Sequence, residues 1–548
     1  MSERSGRSVA ARVRSERLQR SARLVQLVQL GRLALARDMR GARRLLLGVT
    51  LLAAIRLLLI FLHPSGIPDN QLSQIPEPLH RTLDITPPTP LEVEEMQAEE
   101  MDEYPSPPPS PPATIAPATS KRTKPFPIVL LAHERPTQLS KTLTSLKSVR
   151  GINASAVFVI QDIVNDDVAA AVDTAGFKRV LLEAGKHPTG DGRKDNSGKW
   201  IALAYHRALS HTFHHLTDDE AILVVEDDLL FSPDLMEYFL AGYHIMRADP
   251  TLWCVSAWND NGFNGMIGSP KGLLRTGYFP GLGWLLTRKL YIGELEAAWP
   301  KEHWDHWMRS ETVHKTSKGR ECLFPQVPRT FHHGSRGTFM SPVLHEQLFA
   351  DIRHNTDESI QWPVDEWDGL RSNLVYSAYE SRLKRRIVNA RQLTNFTELM
   401  LPQRHGEEWV LWYTQPPRSL SITVFADLSN FLGIWKEMRR TSHYGVHEVG
   451  CGGRATRLLL VNTLHGPDAK PSPYAKLAPD HGVFDSAQKL KRAIDTAALH
   501  VAKNWGHTTP VKGWKGRKQL KSMKLPSTRG VCRLKRGGKV GTDYTPIA

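Results

Sequence analysis

Three apolar stretches of this chain each run into charged side chains, and those endings are the first candidates for chemistry. Arg135 comes near the end of FPIVLLAHERP, Asp162 closes AVFVIQD, and Glu226, Asp227 and Asp228 stand together in AILVVEDDLLFSP. One acid in such a place ordinarily caps the next helix. Three charged endings together point instead to a binding rim. Adjacent carboxylates repel one another unless a cation relieves them, and oxygen ligands suit Mg2+ or Mn2+, through which a diphosphate would be held. Taken alone, the triplet reads equally as solvated acids at a strand end. Further on, WPKEHWDHWMR sets Asp305 among three tryptophans, which is what a sugar site with a single general base requires. By itself that stretch reads more simply as an amphipathic helix packing its tryptophans into a core. TGYFPGLGWLL offers two glycines and a proline between aromatics, either a place for close backbone approach to a ligand or a tight turn.

The elements that must carry these residues alternate. QLSKTLTSLKSV and KWIALAYHRALSHTF repeat apolar residues at helical spacing between the strands. The expected fold class is therefore α/β with a mainly parallel central sheet, its ligands bound beyond the carboxyl ends of the strands. Around this body the 548 residues are organised by charge. Residues 1–44 hold twelve arginines and three acids, and residues 464–548 hold seventeen Lys/Arg and five acids. The net +15 thus belongs to the two ends and leaves the central body net negative, which argues against a nucleic-acid enzyme. Residues 45–62, LLLGVTLLAAIRLLLIFL, read as a type II membrane signal anchor behind the basic tail, with Arg56 placed to snorkel. A cleaved organelle transit segment is the competing reading. Residues 63–125, with their prolines, the acidic run EVEEMQAEEMDE and PSPPPSPP, read as a disordered stem. Such a layout is that of a Golgi membrane enzyme whose body is lumenal.

The EDD triplet, WCVSAWNDNG at 253–262, YFPGLGWLLTRKLY at 278–291, WPKEHWDHWMR at 299–309 and GRECLFPQVPRT at 319–330 occur in an order and spacing that resemble glycosyltransferase family 13. The likeness runs from about Phe126 to about Asn462 and includes VLWYT at 410–414, similar to the start of that family's small C-terminal domain. It implies a GT-A nucleotide-sugar-binding fold at 126–400 and a small domain at 401–463, with 464–548 a basic extension of unknown role. A run of charge like that extension ordinarily forms a solvated tail. The implied reaction is inverting transfer of N-acetylglucosamine from UDP-GlcNAc with Mn2+, in β-1,2 linkage, to the α-1,3-linked mannose of a Man5GlcNAc2 N-glycan. Carried over position by position, Asp228 would ligate the metal, Asp227 and Glu226 would contact donor sugar and ribose, Arg135 and Asp162 would hold the nucleotide, and Asp305 would be the catalytic base.

The same resemblance pairs Cys254 with Cys322 in a disulfide. A second family pair is missing on both sides, His133 and Ile163 standing in its place, while Cys451 and Cys532 have no assigned partner. Two departures touch the donor site: Ala204 stands where the family has a histidine, and either Ser335 or Ser341 would answer to the serine of the loop that closes over the donor. Transfer to O-linked mannose, or a non-catalytic role led by the basic tail at nucleic acid or a membrane surface, are the alternatives.

Overall fold

A computed structural model describes residues 121–182, 193–215, 220–301, 304–309, 314–400, 407–416, 423–451, 454–466, 469–504 and 531–533. The anchor at 45–62 and the stem up to residue 120 lie outside the described residues. Among the described residues no helix is long and apolar enough to cross a membrane.

The first strand, β1 (Ile128–Ala132), is IVLLA, apolar throughout because both its faces are covered. Ile128 and Leu130 join one core layer, which includes Leu139 and Leu143 of helix Pro136–Lys147 and Tyr238 and Phe239 of helix Leu235–Ala248. Val129, between them in sequence, joins the opposite layer with Leu209 and Phe213 of helix Arg193–His215. The two-residue period of the strand thus sorts its side chains onto two helical layers. β2 (Val157–Gln161), β3 (Lys178–Leu181) and β4 (Ala221–Glu226) extend the sheet, followed by β5 (Leu229–Phe231), β6 (Leu252–Ser256), β7 (Leu273–Thr276), β8 (Trp284–Thr287), β9 (Glu321–Pro325) and β10 (Thr330–His332).

The central sheet has eight strands in the order β3-β2-β1-β4-β8-β6-β9-β7. It is mixed, with four of its seven strand pairings parallel. β3 to β4 run parallel, and β6 runs parallel to β9, but β8 is antiparallel to both its neighbours and β7 is antiparallel to β9. The three strands legible from sequence all fall in the parallel half. β6, β8 and β9 of the other half are short strands that overlap the segments singled out as motifs, where glycine, proline and tryptophan obscure the alternation.

A second sheet, in the order β11-β12-β15-β14-β13, comprises β11 (Arg391–Gln392), β12 (Glu408–Tyr413), β13 (Ser442–His443), β14 (Val446–Cys451) and β15 (Arg454–Asn462). VLWYT therefore lies in and just after β12. Leu411, Leu458 and Leu460 share a core with Leu428 of helix Val424–Leu432 and with Leu490 and Ala497 of helix Ala487–Asn504. That last helix belongs to the basic extension, which is accordingly not a solvated tail over this part of its length. Leu490, Ala493, Ile494 and Ala497 repeat at helical spacing between lysines and arginines, so an amphipathic stripe was hidden under the charge.

Candidate functional site

β4 delivers Glu226 at its end, and Asp227 and Asp228 make the turn into β5. That turn is held from both sides. Thr142 Oγ1 donates to the Asp227 carbonyl at 2.8 Å and His333 N donates to the Asp228 carbonyl at 2.9 Å. β5 pairs antiparallel with β10 in a register that sets His332 opposite Leu229, and this pairing brings residues 332–334 against the carboxylates.

Asp227 and Asp228 are buried and Glu226 is half-buried, yet their surroundings separate them. Burial pushes the Glu226 carboxyl up to about 7, against a hydrogen bond from Tyr205 Oη at 2.6 Å. Burial also pushes Asp227 up to about 6, opposed by the Arg135 guanidinium with which it is paired. For Asp228 burial works in the same direction, but His332 and Arg135 more than offset it and hold the carboxyl below the usual range. Arg135 Nη1 lies 2.8 Å and His332 Nε2 3.4 Å from Asp228 Oδ2. The other oxygen, Asp228 Oδ1, is buried and has no hydrogen-bond partner among the described residues. Such an atom costs free energy unless something else occupies it.

Asp162, beyond the end of β2, accepts a hydrogen bond from His133 Nδ1 at 2.7 Å, and this bond raises the His133 pKa. A polar link thus joins the neighbouring ends of β1 and β2. The site of Ala204 is on helix Arg193–His215, and it is the next residue, Tyr205, that reaches Glu226.

The stretch 333–341 follows β10. Gly334 lies so close to Asp228 that a Cβ there would come within 2.6 Å of Oδ2, and Arg135 Nη1 donates to the Arg336 carbonyl at 3.2 Å. Ser335 is exposed, whereas Ser341 Oγ caps helix Pro342–Leu348 by accepting from Leu344 N at 3.2 Å.

Asp305 is carried by helix Trp304–Arg309. The aromatic residues around it do pack. Trp299 is buried, donates Nε1 to Ala202 O at 2.9 Å and has Trp307 5.5 Å away. Arg309 at the far end reaches the carbonyl of Phe279 at 3.3 Å, which sets this helix beside the TGYFPGLG loop. In that loop Gly281 and Gly283 have φ of 68° and 93°, and the carbonyls of residues 281–283 accept from Ser256 Oγ, Thr330 Oγ1 and Ala257 N. The loop is a tight turn bonded to the ends of β6 and β10.

Sequence reasoning missed Tyr205, His332 and Gly334. Tyr205 is within IALAYHRAL, and FHHG after β10 carried the other two, but only the β5–β10 register discloses that they face the EDD turn.

The cysteines are all paired among the described residues: Cys254, on β6, with Cys322, on β9, and Cys451, at the end of β14, with Cys532. The model of the family described as GNT-I matches residues 103–464. The chain belongs to the GNT-I family. A curated relative, alpha-1,3-mannosyl-glycoprotein 2-beta-N-acetylglucosaminyltransferase of Arabidopsis thaliana, is 35% identical over 185 residues, which cover 34% of this chain and 40% of the relative. The matched stretch thus spans well under half of that relative. Among solved structures, glucosyl-3-phosphoglycerate synthase from Mycobacterium tuberculosis with phosphoglyceric acid aligns at 13% identity and a TM-score of 0.27, covering 39% of this chain and 74% of that one. The same enzyme with Mn2+, uridine-diphosphate and glucosyl-3-phosphoglycerate aligns at 14% identity and 0.25, covering 47% and 80%. Likeness at that level carries no argument about chemistry. The GNT-I match includes the EDD turn, Asp305, β10 and the second sheet, and it ends before helix Ala487–Asn504 and Cys532.

Proposed function

We propose that this GNT-I family member transfers N-acetylglucosamine from UDP-GlcNAc, with inversion and in β-1,2 linkage, to the α-1,3-linked mannose of Man5GlcNAc2, opening the way to hybrid and complex N-glycans. The observation that carries this reading is the buried EDD turn with its unpartnered Asp228 Oδ1, in a chain of that family. The donor set fits a hard divalent cation such as Mn2+: Asp228 would hold it, with His332 beside it. Among the described residues no three His, Cys, Asp or Glu side chains gather as a metal group, so the remaining ligands would be diphosphate and water oxygens. When bound, the cation would supply charge stabilisation for the departing diphosphate.

The chain's own residues do the rest. Arg135 carries positive charge into the carboxylate cluster and is within reach of the nucleotide's phosphates once they arrive. Glu226, held by Tyr205, and Asp227 offer oxygens to the hydroxyls of ribose and donor sugar, and Asp162 to the nucleotide. Asp305 takes the proton from the acceptor hydroxyl as it attacks, so no covalent enzyme intermediate is required. Gly334 lets the loop after β10 lie against Asp228 and keep water from the reacting diphosphate.

The anchor at 45–62 would hold the enzyme in the Golgi membrane with this body in the lumen, and the two disulfides fit an oxidising compartment. The test is incubation of the purified protein with a panel of UDP-sugars, Mn2+ and Man5GlcNAc2, followed by linkage analysis. Transfer of N-acetylglucosamine to the α-1,3 mannose is expected. Preference for another sugar or for O-linked mannose would replace the reading.

A further inference from the structure

Residues 531–533 lie beyond the GNT-I match, yet they are built into the body. Val531 N and Cys532 N donate to the carbonyls of Phe431 and Leu432 at 2.8 and 3.2 Å, and Cys532 is bonded to Cys451. The next side chain, Arg533, is buried, with its guanidinium 3.2 Å from the centroid of the Phe263 ring. Its Nε donates to Gly433 O and its Nη1 to Gln347 O, the latter at 3.3 Å.

Gln347 belongs to the last turn of helix Pro342–Leu348, where carbonyls lack partners within the helix and a cation is favoured. From there the contacts run straight to the EDD turn. His345 Nε2 donates to His332 O at 3.0 Å, and Phe349, just past the helix, has its ring 5.2 Å from that of His332. Ser341 caps the other end of the helix and closes the stretch that begins with Gly334 against Asp228 and accepts from Arg135 at Arg336. The Arg533 guanidinium therefore links the C-terminal extension to the helix whose His345 bonds His332.

We propose that Arg533, fixed in place by the Cys451–Cys532 bond, is a positioning residue for the loop 333–341, so that the basic extension is a working part of the donor site. This rests on the reading of the EDD turn as the donor site. Arg533 touches no substrate in this account. It acts by holding the far end of helix Pro342–Leu348, and its loss frees the loop without altering the carboxylates themselves.

The test compares the full chain with Arg533→Ala, Arg533→Lys and a double variant, Cys451→Ala with Cys532→Ala, by hydrogen exchange of peptides within 331–349 and by steady-state kinetics. Arg533→Ala should speed exchange in 342–349 and raise KM for UDP-GlcNAc about five- to tenfold, with kcat and the KM for Man5GlcNAc2 within about twofold. Lysine, which keeps the charge but not the fork, should restore part of the effect, and the double variant should resemble Arg533→Ala. Lowered melting temperature with unchanged exchange in 331–349 and unchanged donor KM would reduce Arg533 to a structural residue and overturn the proposal. Should Arg533→Ala not fold, Arg533→Gln, which removes the charge but keeps a long polar side chain, overturns it equally if its exchange and donor KM are wild-type. A wild-type protein that ignores UDP-GlcNAc would remove the donor-site reading, and the exchange comparison would still decide whether residue 533 holds the loop.

Discussion

Asp228 differs from the two acids before it in what surrounds it. Glu226 has the Tyr205 hydroxyl and Asp227 has Arg135, and burial still raises both; Asp228 alone is lowered and keeps one oxygen without a partner. An acid that is ionised, sheltered and half-satisfied is prepared for a cation. Asp228→Ala is expected to abolish metal-dependent binding of UDP-GlcNAc, measured by calorimetry with and without Mn2+; undiminished metal-dependent binding would remove its assignment as ligand. The helix that carries Asp305 also packs Trp307 against Trp299. If Asp305 is the base, Asp305→Asn keeps shape and hydrogen bonding but cannot take the acceptor proton, so kcat should fall about 10² to 10⁴-fold with donor affinity preserved. A helix that merely packs predicts lowered melting temperature and unchanged turnover per folded molecule.

Two elements shape the site and steady the body, the loop after β10 and the contact between the two sheets. A methyl group at Gly334 would meet the Asp228 carboxylate, whose backbone is fixed by Thr142 and His333, so the loop must give way. Gly334→Ala should weaken metal-dependent donor binding about tenfold or more while the melting temperature stays within a few degrees, since strain of this kind is local. Wild-type donor affinity in this variant would show that the loop does not close on the site. At the sheet contact His443 of β13 lies 2.6 Å from both Glu321 of β9 and Glu380 of helix Tyr376–Asn389. Arg275 Nε and Tyr474 Oη complete the group, the first on Glu321 at 2.8 Å and the second on Glu380 at 2.5 Å. Burial opposes the charge of His443, and the two carboxylates overcome it and raise its pKa above 6.5. Its stabilisation should therefore be complete below pH 6.5 and disappear as pH rises through the higher folded value. Against His443→Gln the wild-type advantage should be about 3 kcal/mol at pH 6 and shrink in alkali. Melting curves of both proteins from pH 5 to 9 decide this; a difference that does not vary with pH would contradict it.

Across the whole molecule, what was legible in the sequence was the half in which periodicity and chain order coincide. β1, β2 and β4 are continuous apolar runs and could be read directly, as could the EDD turn that ends the last of them. The antiparallel half could not, because β7 and β8 are each four residues long and their partners are distant in sequence. His332 faces Asp228 only through the pairing of β5 with β10, a register that no local pattern encodes. The partner of Cys451 was equally hidden, since Cys532 lies 81 residues on, beyond a charged stretch whose buried stripe was masked by lysine and arginine. In the proposed reaction the EDD turn presents UDP-GlcNAc and a cation to a mannose hydroxyl. The most direct measurement is single-turnover transfer from UDP-GlcNAc to Man5GlcNAc2 by the wild-type protein and Asp228→Ala, each with Mn2+ and with chelator. The account predicts a β-1,2-linked product from wild type with Mn2+ alone and none from the other three; product formed by Asp228→Ala at the wild-type rate, or by either protein in chelator, would contradict it.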